Sequence, residues 1–390
     1  MKDTDVSPNV ACSRRRFLTV SAAGLLVAGL PACSDSEDAG IRFTDTITYG
    51  RQAIQRHMIE APDSPAVSVA LLWKEQIVWR EAFGLASVTD KEPATVHTRF
   101  NIGSVSKVFA GLTGVILRDQ GVLDLDAPVA QYLPEFTMLS PEFAQITSRQ
   151  LLSHSSGLPG TNVRRVFSFA PMPGYAQDTQ AGLAHFHLKH RPGEMAVYCN
   201  DGFTLFELVV LTVSGLTYPE FVRRYIFEPL EMTRSGYLLS VPTNESIALP
   251  YKEGAQFPIE YVNAYATGGV CSTPSDMMNF ARMFVGNGSY RGRRIVSPEG
   301  IAEMATDQAA STALNPTPWP WGLGWDAVRQ PAIAAAGELA WQKNGGTAFF
   351  ETEFFVLPEA ELAFLITGNA GYRPLEIAEE VMMRALIDAR

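Results

Sequence analysis

The sequence predicts an α+β protein: one antiparallel sheet built from both chain ends, terminal helices flanking it, and a large, mainly helical insert between. Three observations carry this expectation. Near the start, Ala66 to Trp73 and Ile77 to Phe83 are rich in Val, Ile, Leu and Trp, and Lys74-Glu75-Gln76 separates them as in a hairpin. Near the end, Thr347 to Leu357 and Leu362 to Thr367 form a similar pair, joined through Pro358-Glu359-Ala360-Glu361. From about residue 104 to 300 the pattern is helical, broken by many Gly and Pro, with few strand runs. Antiparallel hairpins from both termini, flanked by terminal helices and holding a large helical insert, give this class.

The chain starts with an address. Ser13-Arg14-Arg15-Arg16-Phe17-Leu18 leads into an apolar run, Leu18 to Leu30, that ends in Leu30-Pro31-Ala32-Cys33. A basic start, a short apolar core and a small-residue exit make residues 1–33 a signal peptide. Its twin arginines resemble the twin-arginine export signal, and Leu-Pro-Ala-Cys resembles a lipobox, which would leave Cys33 as a lipid-bearing N-terminus on an exported, periplasm-facing protein. The alternative is cleavage nearby and release. Residues 34–43, largely polar and acidic, read as a tether, and 44–390 as the folded unit.

Thr44-Asp45 looks like a helix start leading through Ile47, Ile54 and Met58, with Pro62 and Pro65 ending it. A last helix, Pro374 to Ile387, has Pro in its first turn and Ile377, Val381 and Ala385 on one stripe. The composition, 46% hydrophobic and 18% charged, suits a globular protein with a large core. A net charge of −10, with no basic cluster beyond the leader, argues against nucleic acid as a partner. Cys199 and Cys271, the two cysteines of the folded part, read as buried thiols, and scattered histidines give no zinc spacing. Neither a metal nor a cofactor is expected.

Three segments carry chemistry. Ser104 stands at the start of the helical run Val108 to Leu117, near free backbone amides and the positive end of a helix dipole. Lys107, three residues on, shares its face; a desolvated lysine can serve as base to a serine nucleophile. Of seven lysines only this one has Ser three positions earlier. In Arg191-Pro192-Gly193-Glu194-Met195-Ala196-Val197-Tyr198-Cys199-Asn200, a Pro-Gly turn precedes a short extended stretch whose alternation sets Tyr198 and Asn200 on one side. A phenol near two ammonium groups would have a depressed pKa and could relay the serine proton. Finally, Lys343-Asn344-Gly345-Gly346 opens the C-terminal strands, where glycine permits close approach of a ligand. Each segment has a bland alternative: a helix cap, a core tyrosine, a solvated lysine beside a bulge.

In this order, Ser104-x-x-Lys107, Tyr198-x-Asn200 and Lys343-x-Gly345 resemble the signature of the serine β-lactamase and penicillin-binding superfamily. The Tyr-x-Asn form is similar to that of class C β-lactamases, D-alanyl-D-alanine carboxypeptidases and related esterases. Gly121-Val122-Leu123-Asp124-Leu125-Asp126, Leu151-Leu152-Ser153-His154-Ser155-Ser156-Gly157-Leu158-Pro159 and Gly268-Gly269-Val270-Cys271-Ser272-Thr273 agree with it. The resemblance implies the β-lactamase/transpeptidase-like fold and acylation of Ser104, with Lys107 and Tyr198 sharing the proton work. It implies that Asn200 holds the substrate, that Lys343 supplies positive field, and that the amides of Ser104 and Gly346 form the oxyanion hole. The expected partner is a small ester or D-amino-acid peptide.

Asn344-Gly345-Gly346 lacks the hydroxyls that would grip a substrate carboxylate, and Ala348-Phe349 replaces a frequent Pro-Gly, so efficient β-lactam hydrolysis is not expected. These departures leave open a non-hydrolytic scaffold that holds peptidoglycan fragments or another acyl ligand. A Ser-His-Asp rival would use His154 as base; no Gly-x-Ser-x-Gly elbow is present.

Overall fold

Residues 41–61, 63–242, 246–314, 319–369 and 374–390 are described by the computed structural model; the expected signal peptide, with Cys33, lies outside them. The labelled elements run α1 (Thr44–Glu60), β1 (Ala66–Trp73), β2 (Gln76–Ser87), β3 (Glu92–Pro93), α2 (Ser106–Asp119), α3 (Asn200–Ser214), α4 (Pro274–Val285), β4 (Trp341–Gly346), β5 (Phe350–Leu357), β6 (Leu362–Asn369) and α5 (Pro374–Ala389). The six strands pair in the order β4-β5-β6-β1-β2-β3, antiparallel throughout, so the two chain ends meet where β6 pairs with β1. Val69 opposes Ile366 and Leu71 opposes Phe364.

Period-two alternation divides these strands between two cores. Val67, Val69 and Leu71 of β1, with Phe364 and Ile366 of β6, pack against α1 and α5. Ala70 and Leu72, with Ala363 and Leu365, face the helical insert. Both faces are therefore covered, which is why β1 and β6 read as nearly unbroken apolar runs. The stripe Ile377, Val381 and Ala385 does lie in the core beneath α5. Phe43, which the sequence assigns to the tether, is fully buried with its ring edge-on to Trp73, centroids 5.4 Å apart.

The C-terminal end gives three strands rather than two. Trp341–Gly346 is itself the edge strand β4, and β5 starts at Phe350 instead of Thr347. The Thr347 side chain explains the shift: its Oγ1 accepts the amides of Phe349 and Phe350, both at 3.1 Å, and so folds residues 347–349 into a turn. The insert places α2 in the middle of the larger core, with every residue from Ser106 to Leu117 buried.

Candidate active site

The nucleophile segment is anchored at its start. Asn101 and Phe100 pair with Cys271 and Ser272, and Asn101 Oδ1 accepts the Gly103 amide at 2.7 Å. Gly103 then turns with φ +52°, a left-handed conformation that glycine adopts without steric cost, and Gly103–Val105 forms a 3-10 turn feeding α2. Ser104 thus stands at the head of a helix, in a turn whose Val105 and Ser106 amides bond the Ile102 and Gly103 carbonyls. One turn on, the fully buried Lys107 donates from Nζ to Ser104 Oγ at 2.9 Å and to the Thr267 carbonyl at 2.8 Å. Burial lowers the Lys107 pKa, and repulsion from Lys343 adds to it, outweighing the attraction of Tyr198 and Asp326.

Tyr198 completes a three-way junction: its Oη donates to Ser104 Oγ at 2.7 Å. Lys107 Nζ lies 5.0 Å and Lys343 Nζ 5.5 Å from the phenol ring centroid. Burial alone would raise the phenol pKa, but these two ammonium groups reverse the sign and leave it below the ordinary tyrosine value. His154 stacks on the ring at 4.4 Å and 26°, and Trp321 meets the imidazole edge-on at 4.7 Å. The Cys199 amide donates to His154 Nδ1 at 3.0 Å. Burial, then Lys107 and Lys343, hold this imidazole neutral, its pKa well below the usual range.

Asn200 departs from the expected extended stretch, since it is the first residue of α3, and Cys199 just before it has extended backbone angles. Its Nδ2 donates to Thr161 Oγ1 at 2.9 Å, while its buried Oδ1 has no hydrogen-bond partner among the described residues. The polar face of this amide is therefore half used.

Lys343 and the glycines reach the junction from β4. Lys343 is fully buried, with Nζ donating to Asp326 Oδ2 at 2.7 Å, to the Asn344 carbonyl at 2.7 Å and to Asn344 Oδ1 at 3.3 Å. Burial would lower its pKa, but the Asp326 carboxylate prevails and raises it. Gly345 is required by contact: a β-carbon there would stand 2.0 Å from the Ile102 carbonyl and 3.1 Å from the Ser104 amide nitrogen. A β-carbon on Gly103 would likewise fall 2.6 Å from the Gly346 nitrogen, so the end of β4 is pressed against the nucleophile turn. Amides in this position can receive a developing oxyanion.

Ser104, Lys107, Tyr198, Lys343, Gly345 and Gly346 are thus brought together, with Asn200 opening the adjoining helix. His154 is held by a backbone amide and an aromatic face, without a hydrogen bond to a serine, and its neutral ring supports Tyr198. Cys199 and Cys271 are buried, and burial pushes the Cys199 thiol up to about 11. Asp326, the Thr267 carbonyl and Trp321 were not legible from the motifs. The one signal for Asp326 is Gly322-Leu323-Gly324-Trp325-Asp326, where two glycines flank a residue packed against α2.

A family model described as Beta-lactamase matches residues 52–386. The chain is 26% identical over 349 residues to Beta-lactamase of Escherichia coli (strain K12), covering 81% of this chain and 86% of that protein. It is 24% identical over 346 residues to Beta-lactamase of Yersinia enterocolitica, covering 81% and 84%. Among solved structures, the octameric penicillin-binding protein homologue from Pyrococcus abyssi superposes with a TM-score of 0.69 at 25% identity, covering 87% of this chain and 77% of that one.

Proposed function

Since this chain belongs to the β-lactamase family, whose model spans residues 52–386, we propose that it is a serine hydrolase acting through an acyl-enzyme on a small acyl ester or a D-amino-acid peptide. The observation that carries the proposal is the double hydrogen bond at Ser104 Oγ, from Lys107 Nζ at 2.9 Å and Tyr198 Oη at 2.7 Å. A serine hydroxyl needs an adjacent base to attack, and both neighbours have pKa values lowered toward that task.

In the proposed cycle the substrate carbonyl sits at the amides of Ser104 and Gly346, with Asn200 Oδ1 accepting from the acyl side. Ser104 Oγ attacks, and its proton moves through Lys107 and Tyr198 to the leaving atom. Water then attacks the acyl-enzyme by the reverse relay, and the acid departs. The assembled Ser104, Lys107 and Tyr198 favour turnover over a purely binding role. The closed Lys343–Asp326 pair, together with the missing hydroxyls after Lys343, argues against efficient β-lactam hydrolysis.

Initial rates with p-nitrophenyl acetate test the proposal. Wild type is expected to hydrolyse it and Ser104→Ala to lose the activity; full turnover by the variant would overturn the mechanism. Burst acylation without turnover would instead favour the scaffold. We further propose, on the leader sequence alone, that the protein is exported and anchored through lipid on Cys33. Recovery of the wild-type protein wholly in the soluble periplasmic fraction would refute the anchor.

A further inference from the structure

We propose that the cavity beside Tyr198 receives a positively charged leaving group, so that the preferred substrates are esters or amides whose departing alcohol or amine carries an ammonium. This rests on the serine-hydrolase reading above and specifies its substrate class.

The cavity, about 430 Å³, is lined in part by Tyr198, Trp319, Trp321, Asp326, Asn344 and Glu379. That volume is within the range of small-molecule sites. Of the three reacting groups Tyr198 alone lines it, and Tyr198 Oη donates to Ser104 Oγ at 2.7 Å. In the proposed relay Tyr198 hands the proton to the departing atom, so the departing portion lies on this side. Asn200, assigned to the acyl side, does not line it.

Charge decides what this cavity accepts. A carboxylate on the leaving group would need an open cation, yet Lys343 is fully buried with its ammonium already held by Asp326 and by both oxygens of Asn344. Among the described lining residues none is basic, whereas two are carboxylates. Asp326 spends one oxygen on Lys343, and among the described residues its buried Oδ1 has no hydrogen-bond partner. Glu379, reached from α5, takes Gln330 Nε2 at 2.5 Å on Oε1. Its burial raises its pKa, which an incoming cation would reverse. Trp319 and Trp321 add indole rings, whose faces attract organic cations. Carboxylates and aromatic rings in one small cavity are complementary to an ammonium and hostile to an anion.

The chemistry balances without a co-reactant. The bond from Ser104 Oγ to the acyl carbon forms, the bond to the leaving oxygen, sulfur or nitrogen breaks, and the serine proton ends on that atom. The ammonium keeps its charge throughout. One water then divides the acyl-enzyme into the acid and free Ser104.

Three thioesters with matched acetyl groups test the inference on the full-length protein: acetylthiocholine, its neutral isostere S-(3,3-dimethylbutyl) thioacetate, and the anionic S-acetyl-3-mercaptopropionate, each read by the thiol released. We expect kcat/KM for acetylthiocholine to exceed that of the isostere about tenfold, the scale of one cation–π and carboxylate site, with the anion slowest. Glu379→Gln and Trp319→Ala should shrink the cation-to-neutral ratio. Choline should inhibit wild type more strongly than 3,3-dimethylbutanol, a measurement that needs no variant. Hydrolysis of all three at equal rates, or fastest for the anion, with choline no better than the alcohol, would overturn the charge preference and leave the serine hydrolase standing. No turnover of these or of p-nitrophenyl acetate, with Ser104 unlabelled by a fluorophosphonate, would overturn the serine-hydrolase reading, and the inference with it.

Discussion

Lys343 Nζ lies 2.7 Å from Asp326 Oδ2 with its side chain fully buried, so the lysine of the third motif is one half of a closed ion pair. Removing one partner of a buried pair leaves the other charge unsolvated, which costs about 3 kcal/mol or more. Asp326→Asn should lower stability by roughly that amount, read by chemical denaturation. Unchanged stability would mean that the two Asn344 oxygens suffice to hold the ammonium.

The rate should rise with pH in a way that follows Lys107 and Tyr198. The relay needs a proton acceptor beside Ser104, so the active form has lost a proton from this coupled pair. Both pKa values are lowered, Lys107 by burial and then by Lys343, and Tyr198 by the two ammonium groups despite its burial. The rising limb of kcat/KM should therefore fall below the ordinary lysine and tyrosine range. A limb at or above pH 10, where unperturbed phenols and amines titrate, would contradict the lowered values.

Stability should decline toward alkaline pH. Burial raises Glu207 to about 8 and Glu353 to about 8. With folded pKa values above the unfolded one, the folded state holds more protons between about pH 4.5 and 8. These groups favour the fold fully below that window, and their contribution is lost as pH rises through it. Glu207→Gln should flatten part of the fall in Tm between pH 6 and 9, and a variant with the wild-type slope would refute this assignment.

His154 should act through Tyr198 as a positioning residue. Replacing the stacked imidazole by Asn, which tolerates the left-handed φ of +63° at this position, removes the platform under the phenol. His154→Asn should lower kcat about 10- to 100-fold with little change in KM, the pattern of an interaction that matters only in the transition state. Because the imidazole is held neutral, the wild-type pH profile should show no step at ordinary histidine values. A step near pH 6.5 that the variant abolishes would make His154 a proton carrier instead.

Gly345→Ala should separate the oxyanion amides. The added carbon would stand 2.0 Å from the Ile102 carbonyl, so β4 and the nucleophile turn must move apart. Loss of one such donor lowers kcat about 10²- to 10³-fold. Steady-state kinetics with p-nitrophenyl acetate reads it, and an unaffected kcat would remove the Gly346 amide from the mechanism.

The sheet from both ends, the terminal helices and the order of the three motifs were legible in the sequence, because they rest on local periodicity and on residue types at short fixed spacings. Lys107 can reach Ser104 because the two are three residues apart in one turn, and the apolar run Ala66 to Trp73 already reads as a strand. Local pattern failed at two places: the Thr347 hydroxyl captures two amides and delays β5, and Asn200 opens a helix where alternation continued a strand. Only the tertiary structure decided what surrounds the motifs. Thr267, 160 residues from Lys107, supplies the second acceptor for its ammonium, His154 lies beneath Tyr198, and Asp326 neutralises Lys343 from 17 residues away. Charge compensation and burial arise from packing between segments remote in the chain, so a short motif can name the reacting groups while the packed fold sets their protonation and the charge that the cleft admits.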